Sequence, residues 1–429
     1  MMVSVSTLPV ETDRLRRDRY TVTLYGTFVM WGWFLYSFNP SVSLLGEDLG
    51  ISKAVAGLHG TAIAVGAITA ALLTPWLVRA RGRRTVIIAG LLLVGGGIAL
   101  LLLVPHVAAT LAGCFVVSVG GNVTISTVQV ALSVHHGPAA SAAITEANGA
   151  GSGIGLFGPL AVGACVGLGW GWRPAVAVTT VLAVAVAVAV SRLPHDRSDV
   201  VAVPAASPRA ASPDATASEV VGQGGQSEER TGRRTPLAPG SGWFLGAIVA
   251  AVALENATTY WSTSLVREQT GAGADIAAAT AAGLIAGMTI IRFVVGPLTL
   301  RLSTAHLLAA SFGVAIVGWA VLWTATSPTV AIVGLFVAGL GYGAQYPLSI
   351  ALLLAVAGGA GDRAQAAATF AGGVAVGIAP FLLGAAADAV GAHTAFLAVP
   401  VVAVLGAVVA LGGDRVVRRT TAAELGTTA

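Results

Sequence analysis

Apolar residues run through this chain in long stretches that are rarely interrupted. Stretches of about 20 residues, the length that carries an α-helix across a bilayer core, occur at 21–45, 55–79, 85–105, 107–133, 142–168, 172–193, 243–266, 276–300, 305–326, 328–357, 364–389 and 393–413. Each predicts a transmembrane helix. Short polar or Gly/Pro turns separate them, except at 194–242, where Ala, Ser, Pro and Gly mix with scattered charge and no apolar periodicity. That composition predicts a flexible linker. It divides the chain into two six-helix bundles, 21–193 and 243–413, flanked by tails at 1–20 and 414–429.

The bundles repeat one another. Sliding the second onto the first by about 222 residues superposes five of the helix starts, Pro75 on Pro297 and Pro159 on Pro380, and Gly155 and Gly163 on Gly377 and Gly384. A parallel duplication explains this, so the expected fold is all-α, with twelve spans in two pseudo-symmetric halves.

Composition removes most alternatives. Hydrophobic residues make up 55%, charged residues only 10%, and the mean hydropathy is +0.84, whereas about a quarter of residues are charged in soluble proteins. The partner implied is a lipid bilayer. A net charge of +4 matters less than its placement, and it gives no ground for a nucleic-acid partner. With both termini inside, nineteen basic residues are cytoplasmic, among them Arg14, Arg16, Arg17 and Arg19 in the tail and Arg79, Arg81, Arg83 and Arg84 after the second helix. Only Lys53, Arg173 and Arg267 lie outside. The positive-inside rule therefore predicts cytoplasmic termini in the inner (plasma) membrane. Cys114 and Cys165 both fall in apolar segments, where packing is their role. No phosphate loop, nucleophile elbow or metal-spaced His/Cys cluster is present, so an enzyme is not expected, nor a cofactor or a metal.

Polar residues repeat at helical spacing on every third helix. Helix 1 carries Tyr25, Gly32, Tyr36, Asn39 and Ser43 with Trp31 and Trp33 alongside; helix 4 carries Ser118, Asn122, Ser126, Gln129 and Ser133. Helix 7 has Glu255, Thr258, Thr259 and Ser262, and helix 10 has Tyr342, Gln345, Tyr346 and Ser349. Four such faces predict a central polar cavity lined by helices 1, 4, 7 and 10. Helices 3, 6, 9 and 12 have few polar residues and are expected to face lipid. Glu255 and Arg292 are ionisable groups deep in apolar sequence, where a charge costs about 2.5–3.5 kcal/mol on insertion scales and usually has a task. A guanidinium binds a carboxylate through two parallel hydrogen bonds and stays charged. Arg292 is thus the candidate anion site and Glu255 the candidate proton-coupling group, the two expected to pair in the empty carrier. Asn122, Gln129, Gln345, Trp33, Tyr36, Tyr260, Tyr342 and Tyr346 are candidates for the substrate surface. Glu146, Asn148, Asp388, His59 and His106 read as gate or surface residues.

This architecture, with its long linker and basic turn after helix 2, resembles the major facilitator superfamily of secondary transporters over all twelve helices. In that family's loop 2–3 signature the final Gly-Arg-Arg is matched here by Gly82, Arg83 and Arg84, while Pro75 and Arg79 replace the expected Gly and Asp. The drug exporters' Gly-Pro in helix 5 is matched by Gly158 and Pro159, but helix 4 has no arginine near Val116. A partial likeness to the monocarboxylate and oxalate–formate branch rests on Gly32-Trp33, on Ala150 to Gly155, and on Arg292, placed where that branch keeps a carboxylate-binding arginine. The basic pair before helix 5 is instead His135-His136, and Met288 stands where an Asp is expected. The resemblance implies alternating access, with Gly82, Arg83, Arg84, Gly158, Pro159, Gly377 and Pro380 as gating residues. It implies a monomeric carrier of a small molecule, foremost an organic anion with a proton as symporter cargo. The alternatives are a proton-driven exporter of hydrophobic drugs, a carrier of a neutral solute such as a sugar, and a non-transporting receptor.

Overall fold

The computed structural model describes residues 15, 17–194, 240–299, 301–357 and 361–426. Most of the expected N-terminal tail and of the linker at 194–242 lies outside the described residues. The described chain folds into α1 (Arg19–Phe38), α2 (Val42–Leu49), α3 (Lys53–Arg81), α4 (Arg83–Leu103), α5 (Val107–His136), α6 (Ala140–Gly155), α7 (Phe157–Gly167) and α8 (Arg173–Ser191) in the first half. The second holds α9 (Ser241–Thr270), α10 (Ala274–Thr299), α11 (Thr304–Trp323), α12 (Pro328–Ala357), α13 (Gly361–Val390), α14 (Ala392–Ala395) and α15 (Ala398–Gly426). Among the described residues, eleven helical stretches are long and apolar enough to cross a membrane. The remaining span is α1, whose threonines, tyrosines and tryptophans make it less apolar. The expected twelve-span, all-α fold is the one adopted.

The duplication is visible in the backbone. Helices beginning at 19, 53, 83, 107 and 140 recur at 241, 274, 304, 328 and 361, and the packing repeats with them. Thus α4 lies on α5 and α8 as α11 lies on α12 and α15, and α1 on α6 as α9 on α13. The outer helices α4, α8, α11 and α15 expose Leu92, Leu93, Val181, Val184, Val317, Val401, Val404 and Leu405. Such an apolar belt is stable only in a lipid solvent.

Prolines mark the places where the repeat breaks. Proline has no N–H to give the carbonyl four residues back. Pro159 therefore leaves the Gly155 carbonyl without its helical donor, and the fifth span divides into α6 and α7 at Leu156. Its counterpart Pro380 lies within the unbroken α13. Pro40 similarly opens a turn of 3₁₀ helix, Asn39–Ser41, between α1 and α2, whereas α9 runs 30 residues without interruption. Gly82 joins α3 to α4 as a one-residue corner at φ +77°, a conformation that costs other residues steric strain. Beyond it Arg84 donates to the Ser191 carbonyl and ties α4 to the end of α8. The twelfth span differs from expectation at both ends: α14 is a separate turn, and α15 continues past Gly413 to Gly426.

We call the end where the linker joins α8 to α9 the linker end and the opposite one the far end. At the linker end Asp18 caps α1, accepting from the Thr21 N–H at 2.8 Å and the Thr21 hydroxyl at 2.7 Å, and pairs with His135 Nε2 at 2.8 Å. Partial burial pushes the Asp18 carboxyl up, but the Thr21 and His135 hydrogen bonds outweigh it and lower it from 3.8 to about 2. A carboxyl depressed in the folded state stabilises above its unfolded value and loses that contribution as pH falls through the folded one. The melting-temperature deficit of Asp18→Asn is therefore expected to be constant above about pH 5 and to shrink between about pH 4 and pH 2. Thermal melts of the detergent-solubilised pair across that range check it.

Candidate functional site

Three helices of the second half bring the ionisable groups together. Glu255 is the fifteenth of the 30 residues of α9, and Tyr342 the fifteenth of the 30 of α12, so both sit at mid-height. The Thr258 and Tyr342 hydroxyls share a hydrogen bond of 3.1 Å, which fixes α9 against α12 at this level. Glycines set the spacing of α10 and α12. A Cβ on Gly343 would stand 2.6 Å from the Ile291 side chain and from the Met288 carbonyl, so bare backbone lets α10 approach. That contact delivers the next residue, Arg292, to the same level.

Glu255 and Arg292 are both half-buried, which suits groups that face a polar cavity. Arg292 is within electrostatic reach of Glu255, and the Glu255 charge in turn reaches Tyr342 and Tyr346. The pairing expected between Glu255 and Arg292 is not formed: among the described residues no salt bridge joins them. Tyr346 lies one turn beyond Tyr342, and its buried hydroxyl has no hydrogen-bond partner. Four sequence candidates, Glu255, Arg292, Tyr342 and Tyr346, therefore form one group, with Thr258 added.

The other candidates take different places. Gln345 is fully buried and directs its amide to the Ser311 carbonyl of α11 at 3.5 Å. The Trp33 indole donates to the Ala175 carbonyl of α8 at 2.9 Å. Tyr36 packs over Gly155 of α6. On α5, Asn122 donates to the Ser118 carbonyl and hydroxyl at 2.9 and 3.1 Å, and Ser118 in turn donates to the Ile63 carbonyl of α3 at 2.6 Å. The Asn122 carbonyl oxygen is buried without a partner, and Gln129 is nearly buried two turns further along. His59, read from sequence as a surface or gate residue, is instead fully buried, bonded to the Ala56 carbonyl and to the Thr110 hydroxyl at 2.9 Å. It braces α3 on α5.

The halves meet through α3 with α13 and α7 with α10, pairs that the pseudo-symmetry exchanges. Their polar contacts lie toward the far end. Asp388 of α13 accepts from the Lys53 and Ala54 N–H groups at 2.8 and 2.7 Å, capping α3 from across the interface. Arg267 pairs with Glu47, and Lys53 approaches Glu268 at 3.9 Å. Deeper in, Pro380 deprives the Val376 carbonyl of its helical donor, and Gly60 of α3 packs there. The neighbouring Gly377 carbonyl accepts from the Thr61 hydroxyl, and the Pro380 carbonyl accepts from the Trp261 indole at 2.8 Å. Tyr260, a substrate candidate, is fully buried with its hydroxyl near Gly60. Gly163 receives the Asp275 carbonyl of α10 as its counterpart Gly384 of α13 receives the Lys53 carbonyl of α3. Toward the linker end, Gly373 of α13 has open space at its Cβ direction. Sequence reasoning missed Glu47, Lys53, Thr61 and Glu268. Opposite charges at the ends of segments assigned to one face were the signal that could have found them.

A Cβ on Gly57 would fall 2.7 Å from the Pro380 carbonyl and 2.8 Å from the Phe381 Cα, backbone atoms that cannot step aside. Gly57→Val is therefore expected to wedge the far end apart. Spin labels at positions 51 and 390, in a background without the two cysteines, should report a longer separation than in the parent. An unchanged separation would mean that the seam does not depend on this contact.

Among the described residues no three His, Cys, Asp or Glu side chains converge as a metal site would require. A sequence model of the Major Facilitator Superfamily matches residues 22–239 and 243–427. No curated protein sequence matches. Solved structures similar to the chain include the nucleoside transporter NupG, with a TM-score of 0.69 at 11% identity over 93% of this chain and 98% of that one. A bacterial homologue of the human lysosomal transporter Spinster, inward-facing and occupied, gives 0.68 at 14% over 93% and 96%. The human organic anion transporter MFSD10 gives 0.57 at 16% over 91% and 98%.

Proposed function

Because the chain belongs to the Major Facilitator Superfamily, and so is a multi-pass membrane protein that moves a small molecule by secondary transport rather than an enzyme, we propose that its cargo is a small organic anion taken together with a proton. The observation that carries this reading is the half-buried Arg292, placed near Glu255 at mid-height yet not joined to it. A half-buried cation within a membrane span, with no salt-bridge partner among the described residues, is costly. A substrate carboxylate, held by the guanidinium fork, relieves that cost. The Tyr346 hydroxyl, which has no partner, supplies a further donor. That another protein of this fold, MFSD10, is an organic anion transporter agrees with the reading.

The proton enters through Glu255. While the guanidinium is bare its charge favours the Glu255 carboxylate; once a substrate carboxylate neutralises it, that support is lost and Glu255 takes a proton. Arg292, Glu255, substrate and proton then sum to zero charge, and the loaded carrier can reorient at low cost. The basic bias of the linker end makes it the cytoplasmic face, so the closed far end is extracellular and the cavity opens inward. Release of Asp388, Glu268 and Glu47 from their partners on the other side of the seam then accompanies opening to the outside. The carrier works as a monomer in the plasma membrane.

The test is uptake by the purified protein in proteoliposomes under an inward proton gradient, with a panel of small carboxylates beside a panel of cationic dyes. Carboxylates accumulate and dyes do not, according to this reading. Movement of the dyes alone would mark a drug exporter and remove it.

A further inference from the structure

The group around Glu255 has features that an anion site does not need. Tyr342 and Tyr346 lie one turn apart on one face of α12, within electrostatic reach of Glu255; the Tyr342 hydroxyl meets Thr258 one turn from Glu255, and the Tyr346 hydroxyl is unpartnered among the described residues. Aromatic faces beside a carboxylate form a site for an ammonium group, through ring quadrupole and charge together. Arg292 offers the opposite charge from α10, separated from Glu255 by more than a contact distance. Fixed charges of opposite sign held beyond contact distance of each other match a ligand that carries both signs. The titratable groups that reach Glu255 among the described residues are Arg292 of α10 and Tyr342 and Tyr346 of α12.

We infer that this site also takes zwitterionic carboxylates of the amino-acid type, with the carboxylate on Arg292 and the ammonium between Glu255, Tyr342 and Tyr346, so that the ammonium stands in for the transported proton. The inference rests on the anion reading of Arg292 and extends it. Charge balance gives it content. A simple carboxylate adds one negative charge to a neutral Glu255–Arg292 couple and needs one proton to restore neutrality. A zwitterion adds none, leaves Glu255 ionised, and needs no proton. Since net charge in the membrane interior is what reorientation must avoid, acids travel with a proton and zwitterions without one.

Matched pairs differing only in the amino group test this with the purified carrier in proteoliposomes: 3-hydroxypropanoate with serine, and 3-phenylpropanoate with phenylalanine, as initial rates above protein-free vesicles. Acidifying the outside should raise the acid rate several-fold and leave the zwitterion rate within about twofold, because only the acid must protonate Glu255. Each zwitterion should also inhibit uptake of its matched acid. Glu255→Gln, of the same size, should still exchange labelled acid across the membrane, since its loaded form is neutral, while losing exchange of the zwitterion by about tenfold or more. Zwitterions that neither move nor compete while the acids are carried would overturn the inference, as would a zwitterion rate that follows the proton gradient, or a Glu255→Gln carrier that keeps both. If instead Arg292→Ala carries the acids as the wild type does, the anion reading itself fails. A panel in which neither member of either pair moves removes both.

Discussion

Arg292→Ala lowers carboxylate uptake by about 100-fold or more, and Arg292→Lys falls between the two. Each charge-assisted hydrogen bond of a guanidinium to a carboxylate contributes about 1.5–3 kcal/mol, and the fork makes two in parallel. Losing both removes at least about 3 kcal/mol, which at 1.4 kcal/mol per factor of ten is about two orders of magnitude in affinity. Lysine restores the charge without the planar fork. A purely structural arginine would behave differently. Its removal would lower the melting temperature and leave the apparent affinity of the surviving protein unchanged, and a second change at Glu255 would restore stability. A double-mutant cycle, with melting and uptake read on the same preparations, separates the outcomes.

Glu255→Gln abolishes proton-driven accumulation while substrate exchange across the membrane continues. The amide fills the space of the carboxyl but neither takes nor gives a proton. Arg292 then keeps its charge with no carboxylate near it, so the substrate anion alone completes neutrality. Exchange requires only that the loaded carrier reorient, which it still does; net accumulation requires a proton per cycle, which is no longer carried. With substrate on both sides, labelled substrate should therefore enter at a rate comparable to wild type, and with a pH gradient alone the vesicles should fill no further than equilibrium. A variant that accumulates substrate as the wild type does would place the proton on another group.

Much of this fold was legible because its two strongest signals are one-dimensional. Apolar length gave the spans, and α12 begins and ends at the residues the pattern predicts, 328–357. The repeat was legible for the same reason, since duplicated helices keep their spacing along the chain. Breaks were harder: both Pro159 and Pro380 follow glycine-rich sequence, yet only α6 and α7 separate. The same residue types stand at both places, so no local pattern records which of the two opens. Helical spacing put Glu255 and Thr258 on one face of α9 and Tyr342 and Tyr346 on one face of α12, and Thr258 meets Tyr342. It could not say that Gln345, on the same stripe, turns toward Ser311 of α11 while Tyr342 meets α9, because a stripe of three or four residues can touch more than one neighbouring helix. The interface between halves was the least legible part. Asp388 caps a helix 334 residues away along the chain, and such a partner is set by the closed arrangement of the two halves.

Proton uptake on substrate binding tests the central claim most directly. Adding a carboxylate to the purified carrier in weakly buffered detergent solution, with a pH indicator present, should alkalinise the solution by about one proton per bound substrate, as linkage between the two sites requires. The Glu255→Gln protein should bind the same substrate and take up none. Binding without proton uptake in the wild type, or the same uptake by both proteins, would contradict the account.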